Sequence, residues 1–463
     1  MTQQRGEVPP ALLQELANLL GNRFTLNPAV REQHGRDESH HTPSAPDGVA
    51  FIESTDEAVE VIVACARHKV PIVPFGAGTS LEGHVAALHG GISVDCSRMN
   101  RILRLSAADM DVTVQAGVTR KALNAELHET GLFFPIDPGP DATLGGMAAT
   151  RASGTNAVRY GTMREAVLGL TVVLADGSVV HTGGRARKSA AGYDLTRLFV
   201  GSEGTLGLIT EVCLRLTPHP EASSVATCHF ANVAAAVDTV IAVLQSGLPI
   251  ARIELLDEVQ MRAINRYSQL SYPEKSTLFF EFHGTAASVA EQAELASALA
   301  AEYGGGQFAW AATPEARSKL WQARHDALYA AVALRPGGKA WPTDVCVPIS
   351  ELARCIVETQ QDLASSSMPC PIVGHVGDGN FHVIFVVDPD RPDELAEVAR
   401  LNDRLVRRAL ACGGTCTGEH GIGWGKKPYL ALEHPSALAA MHAIKRALDP
   451  AGLFNPGKLL PML

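Results

Sequence analysis

Seventeen histidines are spread along the 463-residue chain, and two of them stand where chemistry is easy to arrange. Residues 370–387 read CPIVGHVGDGNFHVIFVV, two apolar runs joined around Asp378-Gly379. Asp-Gly flanked by apolar runs is a strong hairpin signal. A two-residue turn centred there pairs Gly377 with Asn380, Val376 with Phe381, and His375 with His382. Directly opposed residues share a sheet face with Cβ atoms about 4.5–5.5 Å apart, close enough for two ring nitrogens to reach one cation at about 2.0–2.2 Å. A lone buried His is more often satisfied by core hydrogen bonds; the opposed pair beside a glycine turn shifts the reading to a metal site. A third ligand is offered by residues 414–427, GTCTGEHGIGWGKK, as Glu419 or His420. Adjacent residues on extended backbone point opposite ways. With Glu419 as ligand, His420 addresses a substrate only where the loop bends, which its glycines permit. Two imidazoles and one carboxylate leave coordination positions open for a substrate oxygen, and this donor set admits Zn²⁺ and Mn²⁺ alike.

Upstream, SKLWQARHDALYAAVAL reads as a helix with Trp321, Arg324, His325 and Leu328 on one face, and Lys339 follows a Pro-Gly-Gly break. Arginine suits a bidentate clamp on a carboxylate. Taken alone, Arg324 and Lys339 are more often solvated charges. Nearer the N-terminus three glycine-dense runs recur: PFGAGTSLEG (74–83), DPGPDATLGGMAATRASGTNAVRYG (137–161) and LFVGSEGTLGLIT (198–210). None has the spacing of a dinucleotide fingerprint or of a nucleoside-triphosphate loop. Bare backbone amides there suit a pyrophosphate, against the plainer reading of tight structural turns.

The elements that must carry these residues follow from periodicity. Ser54 with Glu57 has capping-box spacing, Ala58, Val59, Ile62, Val63 and Ala66 form a helical stripe, and VPIVPF then reads as a strand. GISVDCS, DVTVQAGV and the pair LGLTVVLADGSVVHTG, with its Asp176-Gly177 turn, are further strands, and TRKALNAELHETG is a helix. After about residue 220 strands alternate with long helices, which implies an antiparallel sheet with helices on one face. The expected divisions are a helical lead-in over 1–42, a first domain over 43–220, a second over 221–440, and a C-terminal segment over 441–463 that returns to the first. The fold class is α+β. Thirty-nine basic against 49 acidic residues leave a net charge of −10, the wrong sign for tracking nucleic-acid phosphates. No window approaches a membrane span and the first residues lack a signal-peptide layout, so a cytoplasmic protein is expected, with peripheral attachment at the inner membrane left open. The nine cysteines, several inside apolar runs, read as reduced buried thiols; Cys412 and Cys416 are not a CxxC pair.

The three glycine runs together resemble the FAD-binding domain of the vanillyl-alcohol oxidase/p-cresol methylhydroxylase type, which holds FAD on two subdomains. The resemblance implies that Pro74, Gly76, Ala77, Gly78, Thr79, Ser80 and Gly83 form the pyrophosphate loop. It carries over Pro138, Asp141, Thr143, Gly145, Gly146, Ser153, Gly154, Tyr160 and Gly161 from the second run, Glu203, Gly204, Gly207 and Ile209 from the third, and Asn455 near the end. Some relatives attach flavin through a His in the pyrophosphate loop; none stands between Pro74 and Gly83, so non-covalent FAD is expected. WQARHDALY, TDVCVPIS, GHVGDGNFH, GTCTGEHGIG and FNPGKLL are similar to the cytochrome-linked D-lactate dehydrogenases, over about residues 45–460. In that family the second domain is a ferredoxin-like α+β substrate domain. The matched positions imply His375, His382 and Glu419 as metal ligands, Arg324 as carboxylate binder, His420 as base, and Lys339 as a further substrate contact.

What the resemblance implies is oxidation of a D-2-hydroxy monocarboxylate, D-lactate first, to the 2-oxo acid, with electrons leaving to an external cytochrome or quinone. D-2-hydroxyglutarate or glycolate dehydrogenation is the alternative in the same flavin fold. The hydroxyglutarate branch has Asn two residues after the second hairpin His and Thr four after the Arg, where this chain has Ile384 and Leu328. Those departures disfavour a second substrate carboxylate. A flavin synthase without net redox, a flavin-free metallohydrolase and a non-catalytic binding protein are the remaining rivals.

Overall fold

A computed structural model describes residues 7–311 and 313–461. The fold is α+β, and the chain divides into two compact units. The first comprises residues 1–153, 161–219 and 419–463; the second comprises 154–160 and 220–418. The C-terminal return therefore begins at Glu419, ahead of the expected 441, because the glycine loop after it is bonded into the first unit's own backbone.

The first unit contains two main sheets. In one, Gly48–Phe51, Ile92–Asp95 and Ile72–Phe75 run parallel, with Phe24–Thr25 antiparallel at the edge. The other is antiparallel, in the order Ile102–Ser106, Asp111–Gln115, Leu208–Arg215, Val167–Val173, Val179–Gly183. A parallel pair requires a crossover, and Thr55–His68 is the helix that makes it. Ser54 Oγ caps it by accepting from the Glu57 amide at 3.2 Å. The Glu57 carboxylate reaches back to the Glu53 amide and to Arg23, so the expected box is only half formed. The buried face is Ala58, Val61, Ile62 and Cys65, an i, i+3, i+4, i+7 set rotated one step from the expected stripe. Val59 and Val63 instead lie against the turn at Gly177. That turn is a hairpin with a three-residue loop: the Leu174 amide bonds the Ser178 carbonyl, and Gly177 has φ +83°.

The lead-in belongs to this unit's core. Leu12, Leu16 and Leu20 of the helix Pro10–Leu20 are buried with Ile62, Val94 and Phe454. Phe454 arrives from the far end of the chain, where the Asn455 amide donates to the Ile72 carbonyl at 2.8 Å. The helix Leu438–Leu448 precedes it, and Asp449 beyond that helix accepts from the Leu453 and Phe454 amides at 2.9 and 2.8 Å. Among the described residues no helix is long and apolar enough to cross a membrane. The nine cysteines are free thiols and seven are buried.

The second unit is built on one antiparallel sheet, ordered Ala309–Trp310, Ala222–His229, Thr277–Gly284, Ile250–Leu256, Ile372–His375, Asn380–Val387, Lys339–Pro342. Val345–Cys346 also pairs with Asn380–Val387. On one sheet face Val225, Phe279, Val373, Ile384 and Val386 pack with Met261, Ile264, Leu320, Trp321, Ala327 and Ala331. Those partners come from the helices Glu258–Tyr267, Pro314–His325 and Ala327–Ala333. The single helix expected through Leu334 is thus broken at Asp326.

Candidate active site and cofactor cradle

The hairpin that carries the two histidines closes differently from the sequence reading. His375 pairs with Asn380 and Val373 with His382, so the connection holds four residues, Val376–Gly379, instead of two. The Asp378 amide returns to the His375 carbonyl at 3.0 Å, and Gly379 takes φ +79°. The slip is two residues, and the side-chain period of a strand is two, so His375 and His382 still share a face, now as diagonal neighbours. Their rings lie edge to face with centroids 5.6 Å apart.

Each ring is turned by a partner on Nδ1. His382 Nδ1 faces the Thr343 carbonyl at 2.9 Å, and His375 Nδ1 faces Glu254 Oε1 at 2.8 Å. Both partners only accept, so each Nδ1 carries a proton, and in the neutral ring that leaves the lone pair on Nε2. That is the tautomer a metal ligand needs, and the donor set fits a divalent cation. The chain toward the third expected ligand is pinned as well. Thr417 Oγ1 donates to Asp344 at 2.7 Å, and Thr415 bridges to Cys346; Glu419 and His420 follow directly in sequence, opening the segment of the first unit.

Arg324 stands in the last turn of Pro314–His325 and is 7% exposed. Its Nε and Nη2 donate to Glu254 Oε2 at 2.9 and 2.5 Å. Burial would raise the Glu254 carboxyl, but His375 and Arg324 against it hold it below the usual carboxylate range. Beside them lies a second buried array. Arg252 is level with Glu281 in the sheet, donates to Asn156 at 2.7 Å and lies over the Trp321 ring. Glu281 Oε1 is 2.8 Å from His283 Nε2, and His283 Nδ1 is 2.7 Å from the Tyr160 hydroxyl. Tyr160, expected to touch cofactor, is engaged in this array. Sequence reasoning missed Arg252, Glu254, Glu281 and His283. Their signal was present: ARIELL and FFEFHG place charges at alternate positions within apolar strands, so one buried face had to be ionic.

Lys339 is exposed and opposite Val387, five positions along the ladder from His382, or about 16 Å at strand rise.

In the first unit, the run after Ile72–Phe75 is half-buried, and among the described residues no backbone amide from Gly76 to Glu82 donates a hydrogen bond. Amides in such numbers want an anion or water. A Cβ at Gly76 would come within 2.3 Å of Thr143 Oγ1, so the first glycine run approaches the second as closely as backbone allows. Thr143 also caps Leu144–Thr150. These loops fit a pyrophosphate-bearing cofactor. Glu203 and Asn455 do something else: the Glu203 carboxylate accepts from the Ile422 and Gly423 amides at 2.7 and 2.8 Å and faces His84 Nε2 at 3.2 Å. Burial would raise its pKa, yet His84 and the two amides hold it low. Asn455 Nδ2 donates to the His84 and Glu203 carbonyls. Glu203 fastens the glycine loop after His420, and Asn455 ties Glu203 to the residue after Gly83, roles their resemblance did not suggest. Glu82 is similarly buried; its own burial is outweighed by Lys426 at 3.0 Å, by His41 and by His420, which keep it ionised.

A glycine-walled cofactor unit and a sheet unit with a histidine pair define an FAD-linked oxidoreductase. The family profile "FAD linked oxidases, C-terminal domain" matches residues 219–459, and "FAD binding domain" matches residues 46–183. The chain is 55% identical over 442 residues to the probable mitochondrial D-lactate dehydrogenase of Danio rerio, covering 95% of this chain and 89% of that protein. It is 48% identical over 458 residues to the mitochondrial D-lactate dehydrogenase [cytochrome] of Arabidopsis thaliana, covering 98% and 81%. The crystal structure of p-cresol methylhydroxylase with substrate bound superposes with a TM-score of 0.79 at 18% identity, covering 97% of this chain and 96% of that one. The chain belongs to the FAD-linked oxidase family, with the p-cresol methylhydroxylase-type fold.

Proposed function

We propose that the protein oxidises a D-2-hydroxy monocarboxylate, D-lactate first, to the corresponding 2-oxo acid, and passes the electrons to an external cytochrome or quinone. When bound, FAD supplies a two-electron acceptor and a divalent cation, Zn²⁺ or Mn²⁺, supplies a Lewis acid for the substrate hydroxyl. His375, His382 and Glu419 are the residues that would hold the cation, and the glycine runs would hold non-covalent FAD. Arg324 takes the substrate carboxylate on the edge of its guanidinium not turned to Glu254. His420 accepts the hydroxyl proton, a task suited to a group whose ordinary pKa lies near 6.5.

The observation that carries this reading is the pair of Nδ1-protonated imidazoles on the face that also holds a buried Arg324. Likeness to proteins named D-lactate dehydrogenase supports the substrate class. The monocarboxylate preference is supported by two features: Leu328 and Ile384 belong to the apolar cluster, and Arg252 is engaged by Glu281 and Asn156. The test is an anaerobic visible spectrum of the FAD-loaded protein before and after D-lactate, L-lactate, glycolate or D-2-hydroxyglutarate. Bleaching of the flavin bands by D-lactate and not by its L isomer is expected. Bands bleached only by glycolate or hydroxyglutarate overturn the substrate, and bands that none of the acids bleaches overturn the reaction.

A further inference from the structure

Glu254 lies within the second unit, on the strand between Thr277–Gly284 and Ile372–His375. Leu255 pairs with Gly374 and Leu256 with Val373, so the same register carried one step further sets Glu254 level with His375. Its side chain is 1% exposed. A carboxylate taken so far out of water requires partners on both oxygens, and Glu254 has them on different residues. Oε1 receives His375 Nδ1 at 2.8 Å; Oε2 receives Arg324 Nε and Nη2.

We propose that Glu254 is a positioning residue that couples the cation site to the substrate clamp: one oxygen sets the tautomer of His375 and the other sets the orientation of Arg324. The inference rests on the hydroxy-acid reading above and adds to it a physical link between its two binding functions. A carboxylate has no proton to give, so it compels Nδ1–H on His375 and leaves the Nε2 lone pair for a cation. By engaging Nε and Nη2 through a single oxygen, it also fixes the guanidinium plane while leaving the Nη1 edge outside these bonds. A merely structural ion pair would need Arg324 or His375, not both.

Glu254→Gln separates these possibilities because it keeps shape and removes one acceptor. With its oxygen toward Arg324, the amide nitrogen donates into His375 Nδ1, drives the proton to Nε2 and abolishes the ligand lone pair. With the amide flipped, its N–H groups confront those of Arg324 and the clamp loosens. Glutamine can serve one partner and never both.

The experiment titrates the FAD-loaded, metal-stripped full chain with Mn²⁺, reading free Mn²⁺ by electron paramagnetic resonance without substrate, and separately measures KM and kcat for D-lactate. Mn²⁺ affinity of E254Q is expected to fall about 10–100-fold, as loss of an outer partner of a ligating His generally costs. KM is expected to rise with it, and retained FAD is expected to match wild type. Because E254Q could simply unfold the second unit, Arg324→Gln is titrated in parallel. It touches no expected ligand, yet frees Glu254 from its anchor, and its Mn²⁺ affinity is also expected to drop. Unchanged Mn²⁺ affinity in both variants overturns the coupling, whatever KM does. A different signature marks failure of the underlying reading: wild type then binds Mn²⁺ no better than His382→Ala, and the coupling falls with it.

Discussion

At the scale of single residues, the chemistry was legible wherever a polar side chain interrupts an apolar run, because such a residue must be satisfied or used. His375 and His382 stand out in this way, whereas Arg324, in the mixed run WQARHDALY, was indicated only by resemblance. Glu254, Arg252 and Glu281 are interruptions of the same kind, but a strand charge read in one dimension has no partner; only the register of Ile250–Leu256 against its neighbours supplies one. Ile384 and Leu328 raise the converse question of what apolar side chains exclude. Ile384 is 3% exposed and Leu328 packs on the same cluster. The double substitution Leu328→Thr with Ile384→Asn should shift the ratio of kcat/KM for D-2-hydroxyglutarate over D-lactate upward by about 10-fold or more, since a site that hydrogen-bonds a polar group discriminates strongly for it. It should also cost about 2–4 kcal/mol in stability, because the new amide enters an apolar cluster. An unchanged substrate ratio in folded variant would show that the distal end of the substrate lies elsewhere.

At the scale of elements, the type of most segments followed from periodicity, and the errors are of registration. The hairpin at 372–387 forms with a four-residue connection because the chain leaves the ladder at His375 and rejoins it at Asn380, whose Nδ2 is bonded to Asp344 and to the Val345 carbonyl at 2.7 Å each. That hold is tertiary and no turn propensity encodes it. The helix Glu258–Tyr267 offers a sharper test of a local signal. Asp257 caps it by accepting from the Gln260 amide at 2.8 Å. Burial, seconded by Glu258, pushes its carboxyl up to about 7 despite that amide. A folded-state pKa above the unfolded one means the proton stabilises the fold. That stability is fully present below about pH 4 and is lost as pH rises through 7. Asp257→Asn keeps the capping oxygen and cannot ionise. The melting temperature of wild type minus that of D257N should therefore fall by about 3–5 °C between pH 5 and pH 8, and flatten above. A difference independent of pH over that range would mean Asp257 is ionised throughout.

At the scale of the whole chain, the least legible fact was which distant segments share a unit. Composition and motif order indicate two kinds of architecture and a return of the C-terminal segment from 441, but nothing local says that the return begins at 419 or that 154–160 leave the first unit for the second. The reason is physical: a strand edge and a core vacancy are filled by whatever apolar segment reaches them, and reach is not written in spacing. Phe454 is that segment's anchor. It is fully buried beside Ile72 and Val94, and the Asn455 amide extends the strand Ile72–Phe75 by bonding its Ile72 carbonyl. The same strand leads straight into the amide-rich loop from Gly76, so loosening its edge should loosen the cofactor cradle. Phe454→Ala removes most of a buried ring at a cost of about 3–5 kcal/mol. The variant should therefore lose FAD on gel filtration and melt roughly 10 °C lower in the transition that flavin fluorescence follows. The second unit has its own core, so substoichiometric flavin should be accompanied by an unaltered near-ultraviolet circular dichroism signal from Trp321 and Trp341, isolated by Phe substitution of Trp310 and Trp424. If F454A keeps its flavin and its melting temperature, the C-terminal segment is an appendage to the cofactor unit instead of a part of its core.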